Sequence, residues 1–296
     1  MSEFLNLDLV RSLQILVEEG KFRSAADRLR VTPSALTQQV RRLEERVGVA
    51  LVDRTSVPIG LTKEGSRFMV HASAALDEAL FAVNANHRRT VRVGFIHGFT
   101  ALEEKGLADA LERISPETEV KPTQLGWDQQ IEALLRGRVD ASLARPPHTT
   151  TESIDRIEVH REARWVAVTS ACHLASQEVV SVGELDGIPV VGGSHVGESW
   201  TKWWTIDPRP SGEPVVYGAM INTIEEGLAA VASQGNVMIT SASVARKYRH
   251  DRVTFVRLGD ATECVVELCT LAMDRRPQIR ALREAARTVK PRGSRC

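Results

Sequence analysis

Thr32 to Gly48 is the stretch that most narrows what this chain can fold into. Thr32 can cap a first helical turn through its hydroxyl, Pro33 suits the first helical position because its missing N–H needs no partner there, and Gly48 supplies a stop. The pattern predicts a helix over Pro33 to Val47. Leu36, Val40, Leu43 and Val47 recur at helical spacing, so they form one stripe that must be buried. The opposite face offers Ser34, Thr37, Gln38, Arg41 and Arg42: short hydroxyls and an amide near the N-terminus, then guanidiniums. Such groups read base edges and clamp phosphates in the major groove. An ordinary amphipathic surface helix satisfies the same pattern, so the neighbouring segments have to decide.

Leu9, Leu13 and Leu16 make a helical stripe that Gly20 ends, and Ser24 to Leu29 reads as a short second helix with the small pair Ala25-Ala26 at its contact. Arg30 to Thr32 is then a three-residue turn, giving a helix-turn-helix whose second member enters the major groove. Leu51 to Thr55 and Ile59 to Thr62 are short extended runs joined through Ser56-Val57-Pro58, and read as a wing. The 296-residue chain has 38 basic and 38 acidic residues, a balance that speaks against a nucleic-acid binder. The distribution reverses that: Lys21 to Arg67 holds ten Lys or Arg against five Asp or Glu, a local excess of five positive charges. A local patch on a neutral protein predicts DNA affinity that falls with salt.

Residues 1 to about 87 resemble the winged DNA-binding domain of the LysR-type transcriptional regulators. The resemblance rests on Glu18-Glu19-Gly20-Lys21-Phe22, Ala25 to Leu29, Thr32 to Thr37, Leu43-Glu44, Val47-Gly48, Leu51 to Arg54 and Leu61 to Gly65. It implies that Ser34, Thr37, Gln38 and Arg41 contact the groove and Arg54 the backbone. One departure is the wing, where Ser56-Val57-Pro58-Ile59-Gly60 stands in place of the arginines common in the family. Fewer phosphate contacts are expected there.

Thr62 caps another helix, expected from Lys63 to about Asn86 and roughly 36 Å long at the standard rise. Its stripe includes Phe68, Met69, Ala72, Leu76, Leu80 and Val83. Nothing in the first 60 residues looks large enough to cover it, so the same helix of a second subunit is the simplest partner, although packing back on the winged domain would also bury it. Asn84 to Thr90 loses the pattern and reads as a hinge. The expected division is 1–62 for the winged domain, 63–90 for dimerisation helix and hinge, and 91–296 for an effector domain.

From Val91 strands and helices alternate, which predicts α/β folding. Expected elements are strands at 91–96, 119–125 and 139–144 with helices at 102–114 and 128–136. A second block has strands near 157–159, 164–168, 188–191, 215–217, 237–240 and 254–256, a helix at 221–233, an extended run at 264–272 and a closing helix at 278–289. Two lobes with chain crossing between them resemble the family's effector domain, which is similar to periplasmic binding proteins of type II. That resemblance sets lobe I at about 91–150 and 264–296, and lobe II at about 151–263. The fold class is thus α+β multidomain: winged helix-turn-helix, long linker helix and two-lobed α/β effector domain.

Ligands in such sheets collect beyond the carboxyl ends of strands. The loops that fit are His97-Gly98-Phe99-Thr100, Trp127-Asp128-Gln129 and the turn at Ser194-His195, with Arg145 a further candidate. Each has a plainer reading as a cap, core or solvent-facing residue. Many family members carry a small hydroxyl residue where Trp127 stands, which suggests an aromatic or partly apolar effector stacking on that indole. Gly192-Gly193-Ser194-His195-Val196 approaches a nucleophile elbow, but Val196 replaces the glycine the sharp turn needs. No phosphate fingerprint or zinc helix motif is present, so no catalysis is expected. Cys172, Cys264, Cys269 and Cys296 lack metal-ligand spacing, and no cofactor or metal is expected. No apolar run approaches the roughly 18 residues of a membrane span, which points to a cytoplasmic protein. By resemblance the partners are an operator in double-stranded DNA, a small-molecule effector, RNA polymerase and the chain itself, as a homodimer and homotetramer.

Overall fold

The computed structural model describes residues 5–83, 88–96, 106–148 and 152–289. The hinge at Asn84 to His87, the loop His97-Gly98-Phe99-Thr100 and the first part of the expected helix at 102–114 lie outside them.

The chain begins with α1 (Leu7–Glu19), α2 (Phe22–Leu29) and α3 (Pro33–Val47). α3 has the bounds its end signals predict. Thr32 Oγ1 accepts from the Ala35 N–H at 3.1 Å, and Gly48, at φ 84°, takes the left-handed conformation that closes the helix. α2 starts two residues before the expected Ser24. Leu36, Val40 and Leu43 have no exposed surface and pack with Val10, Leu13, Leu16, Ala25 and Ala26. Each of the leucines contributes about 1.5–3 kcal/mol by leaving water. The wing is two short antiparallel strands, β1 (Val52–Asp53) and β2 (Gly60–Leu61).

α4 (Lys63–Val83) starts on a side-chain cap, Thr62 Oγ1 accepting from the Gly65 N–H at 2.9 Å. Its stripe corrects one premise. Met69, Ala72 and Leu76 are buried within the chain, in the same core as α1, and Phe68 and Leu80 lean on that core. The thirteen residues of α1 are enough to cover them. Val83 alone of the six is fully outside, 83% exposed.

The rest comprises β3 (Arg89–Phe95), α5 (Leu107–Ile114), β4 (Thr118–Gln124), α6 (Glu132–Leu135), β5 (Ala141–Ala144), β6 (Ile154–Glu162), β7 (Arg164–Thr169), β8 (Val179–Val180), β9 (Val190–Gly193), α7 (Glu198–Thr205), β10 (Tyr217–Ile221), α8 (Ile224–Gln234), β11 (Met238–Ser241), α9 (Ala242–Lys247), β12 (Val253–Leu258), β13 (Cys264–Leu271) and α10 (Pro277–Thr288). The first sheet runs β4-β3-β5-β13-β6, with β3 parallel to β4 and β5, and β13 antiparallel to β5 and β6. α5 and α10 pack with this sheet around Val93, Leu111, Leu143, Leu268 and Leu282. The second sheet runs β11-β7-β12-β8, and the parallel pair β9-β10 joins it through a bridge between Val190 and Val237.

β6 therefore belongs to lobe I, not to the second block, and lobe I reaches Glu162 before the chain crosses over. The expected helix at 128–136 is instead a 3-10 turn, Trp127–Gln129, followed by α6. Gln130 Nε2 donates to the Trp127 carbonyl at 2.9 Å, occupying an acceptor that a continuous helix would use for itself.

The winged domain sits on lobe I. The Leu61 N–H donates to the Arg136 carbonyl at 3.2 Å, Ser66 Oγ donates to the Leu135 carbonyl, and Arg136 pairs with Asp53 of β1. Gln278 Nε2 reaches Asp77 of α4 at 2.5 Å, and Arg92 of β3 lies 3.6 Å from Glu18 of α1.

Candidate DNA-reading face and effector cleft

Burying Leu36, Val40 and Leu43 turns the other side of α3 to solvent. Ser34, Gln38, Arg41 and Arg42 are exposed and Thr37 is half-buried. Gln38 and Arg42 have no partner among the described residues. Thr37 Oγ1 donates to the Pro33 carbonyl at 2.8 Å, leaving its oxygen lone pairs outward. Arg41 pairs with Glu45 at 2.8 Å, and Arg54 with Glu44 at 2.9 Å. The other oxygen of Glu44 accepts from the Leu51 and Val52 N–H groups, so the carboxylate that holds Arg54 also fixes the start of the wing. Exposed pairs of this kind are worth about 0.2–1 kcal/mol, and a phosphate can displace the carboxylate.

A second site lies between the lobes. Ile96, Trp127 and Arg145 come to it from lobe I, while Gly193, Trp200, Thr201, Trp204, Ile221 and Ser241 come from lobe II. The cavity, partly open to solvent, has a volume of about 50 Å³. Trp127 stacks on Trp200 with ring centroids 5.4 Å apart and planes 25° from parallel, and Trp200 lies 5.6 Å from Trp204. α7 places Trp200 and Trp204 four residues apart, hence on one helical face. The glycines of β9 make room: a Cβ at Gly193 would stand 2.9 Å from the Trp200 ring. This is why Gly192-Gly193 is not a nucleophile elbow. β9 runs straight through both, and the Ser194 N–H continues the pairing by donating to the Ile221 carbonyl at 2.7 Å.

Arg145, a candidate ligand by sequence, is buried and already engaged. Its Nη2 donates to Glu162 at 2.5 Å and to Ser243 Oγ at 3.2 Å, and its backbone N–H donates to Gln130 Oε1 at 2.7 Å. Glu162 has no exposed surface; Arg145 and the Ser243 N–H and hydroxyl outweigh that burial and hold its carboxyl below the usual range. Among the described residues Arg145 is the one charged side chain that lines the cavity. Behind α7, Arg164 lies 3.6 Å from the Trp203 ring centroid and donates to the Trp203 carbonyl at 2.8 Å. Burial lowers its pKa to about 10, which still leaves it protonated at neutral pH.

The other candidates divide. Trp127 lines the cavity. Asp128 is exposed beside it, and Gln129 is tied to Arg138 at 2.9 Å. Ser194 and His195 do not line the cavity, and His195 is exposed at φ 58°. His97, Gly98, Phe99 and Thr100 lie outside the described residues. Sequence reasoning missed Trp200, Trp204, Glu162 and Gln130. A signal for the first two is there to be read, since Trp200, Trp203 and Trp204 are three of the chain's five tryptophans within five residues.

The fold also brings His148, Glu267 and Cys269 together, with ligand atoms within 4.8 Å of one another, where spacing gives no hint of a cluster. Burial pushes the Cys269 thiol up to about 12, beside the 3.0 Å His148–Glu267 contact.

A winged helix-turn-helix with an exposed polar reading face, carried on a two-lobed α/β domain with a cleft between lobes, defines a ligand-responsive DNA-binding regulator. Residues 7–66 match the family described as bacterial regulatory helix-turn-helix protein, lysR family, and residues 84–291 match the LysR substrate binding domain. The chain belongs to the LysR family of transcriptional regulators. It is 26% identical over 266 residues to the probable cat1 operon transcriptional activator of Acinetobacter lwoffii, covering 83% of this chain and 84% of that protein. Its fold is that of a full-length OxyR variant from Pseudomonas aeruginosa, with TM-score 0.64 and 18% identity, covering 97% of this chain and 96% of that one. Full-length CbnR complexed with its target DNA gives TM-score 0.60 at 20% identity, covering 97% of this chain and 100% of that one. The protein therefore binds operator DNA and a small-molecule effector and forms oligomers. Its relatives are transcriptional regulators, a non-enzymatic role.

Proposed function

We propose that Ser34, Thr37, Gln38 and Arg41 approach base edges while Arg42 and Arg54 hold phosphates, and that the effector enters the tryptophan-lined cleft between the lobes. The observation that carries this reading is the division of α3 into a buried apolar stripe and an exposed row of base-reading side chains. Subunits pair through the part of α4 that its own core leaves uncovered, around Phe68, Leu80 and Val83, and pairs assemble as tetramers on a two-part operator. The chain carries no catalytic activity of its own and acts on DNA in the cytoplasm. An effector that prefers one arrangement of the lobes shifts the placement of the paired winged domains, as such coupling requires.

The test is binding to the DNA upstream of the coding sequence across a salt series, beside Gln38→Ala. Log affinity should fall linearly with log salt, and the variant should relax preference at one operator position at a cost of roughly 1–3 kcal/mol. Equal loss on all sequences would remove Gln38 from base reading.

A further inference from the structure

Resting on the reading that the effector enters between the lobes, we propose its chemical class: a flat, uncharged aromatic compound bearing a hydrogen-bond acceptor, inserted where Trp127 of lobe I stacks on Trp200 of lobe II.

Shape, charge and polarity each contribute. The walls are mostly indoles and aliphatic side chains, with the hydroxyl residues Thr201, Thr205, Thr240 and Ser241 among them, and the Trp127–Trp200 contact is where aromatic rings from the two lobes meet, at 5.4 Å. An aromatic ring slid against either indole exchanges one stack for another, in the offset or tilted geometry that ring quadrupoles favour. A saturated ring of the same size gains only the burial. Charge argues for neutrality. Arg145, the charged side chain lining the cavity among the described residues, already meets Glu162 at 2.5 Å with Ser243 completing the cluster. A carboxylate would leave water without a free cation among the described residues to receive it. Arg164 does not replace that cation, because its guanidinium lies against Trp203 and does not line the cavity.

The acceptor follows from two orphaned donors. Trp200 Nε1 and Trp204 Nε1 are buried with no hydrogen-bond partner among the described residues, and both residues line the cavity. Buried indole N–H groups normally find an acceptor. An oxygen or nitrogen on the ligand supplies it.

The cavity volume makes binding a lever on the lobes. About 50 Å³ is too little for an aromatic ring; a cavity that admits benzene is roughly 150 Å³. A ring seated between the two indoles parts Trp127 from Trp200, and with them the two lobes. It therefore binds one arrangement better than the other, which is the condition for a ligand to shift an equilibrium.

The experiment uses the full chain and three probes of one outline: 2-naphthol, its anionic counterpart 2-naphthoate, and the saturated 2-decalol. Binding is followed by tryptophan fluorescence and calorimetry, and located by hydrogen exchange. We expect 2-naphthol to bind saturably, to protect segments 125–131 and 191–205, and to exceed both other probes by at least about tenfold. Trp127→Leu should weaken it by a similar factor. Trp200→Phe, which keeps a ring but removes the N–H, should lose about two- to tenfold. Unchanged melting and circular dichroism of each variant would certify its fold. If 2-naphthoate or 2-decalol binds as well as 2-naphthol within the cleft, the chemical class is wrong while the cleft stands; if 2-naphthol fails to bind, the chemical class is wrong. If 2-naphthol protects other segments and neither variant affects it, the effector site itself lies outside the cleft.

Discussion

Asp140 sits at the centre of a buried charge network, and Asp140→Asn tests how much of the effector domain's stability depends on it. Its carboxylate accepts from the Arg92 backbone N–H and Nε at 2.9 Å each, from Arg92 Nη2 at 2.9 Å and from Arg276 Nη2 at 2.7 Å. The residue is 7% exposed. Asparagine offers one acceptor oxygen and turns an NH2 group toward guanidinium donors, so at least one donor is left facing a donor. Breaking a buried pair from one side costs about 3–5 kcal/mol. Arg276 keeps Asp274 at 2.7 Å, which sets the expectation at the lower end, about 3 kcal/mol. For a unit of this size that lowers the melting temperature by roughly 6–12 °C.

The same substitution has a pH signature. Arg92 and Arg276 outweigh the burial of Asp140 and hold its folded-state carboxyl far below its ordinary value of 3.8. A depressed acid stabilises the fold at pH above its unfolded value and loses that contribution as pH falls toward its folded value. The gap between parent and variant should thus be widest near neutral pH and shrink steadily below about pH 4. Urea titrations of both proteins at several pH values measure it. A loss under about 1 kcal/mol at pH 7, or a gap that stays constant or widens into acid, would refute the network's role.

Three further outcomes follow from other contacts. A Cβ at Gly65 would overlap the Leu51 carbonyl oxygen, a backbone atom that cannot move aside alone, so Gly65→Ala should cost about 1–3 kcal/mol in winged-domain stability. Operator binding should fall with it while the circular dichroism of the effector domain holds. Arg54→Ala should weaken all DNA sequences about equally and reduce the slope of log affinity against log salt by about one, read by fluorescence anisotropy. Arg136→Ala removes a partly exposed partner of Asp53 and should speed hydrogen exchange over residues 52–61 by less than about fivefold, because surface pairs are weak.

Where local chemistry decides, the chain is readable from its residues. α3 begins and ends on Thr32, Pro33 and Gly48, and needs nothing distant to do so; its reading face follows from its buried one. Strand membership is another matter. Sequence order puts β6 in lobe II, but its place follows from pairing with β13, a partner a hundred residues further on whose register no pattern in Ile154 to Glu162 announces. The cleft is legible by half. Trp127 stands out as an unusual residue in a promising loop, yet its meaning depends on Trp200 and Trp204, which only the packing of α7 brings opposite. Arg145 is findable from its position but not in its role, since Glu162, the carboxylate that neutralises it, lies on the strand that sequence order assigns to the wrong lobe. Likewise the α4 stripe has the right periodicity and says too little about what covers it.

The seat of the winged domain on lobe I has a consequence for exchanging parts between regulators. Leu61 of the wing fits over Gly137, which is held at φ 70° and whose missing Cβ would stand 2.5 Å from the leucine methyl. The neighbouring Arg136 gives both its carbonyl and its guanidinium to the wing. A reading head moved onto a foreign effector domain would meet a side chain at that glycine, or lack the arginine beside it. Portable specificity in this protein therefore depends on the contacts that Arg136 and Gly137 make with the wing, and a chimera joined between α4 and β3 that lacks them should read its operator while losing its response to ligand.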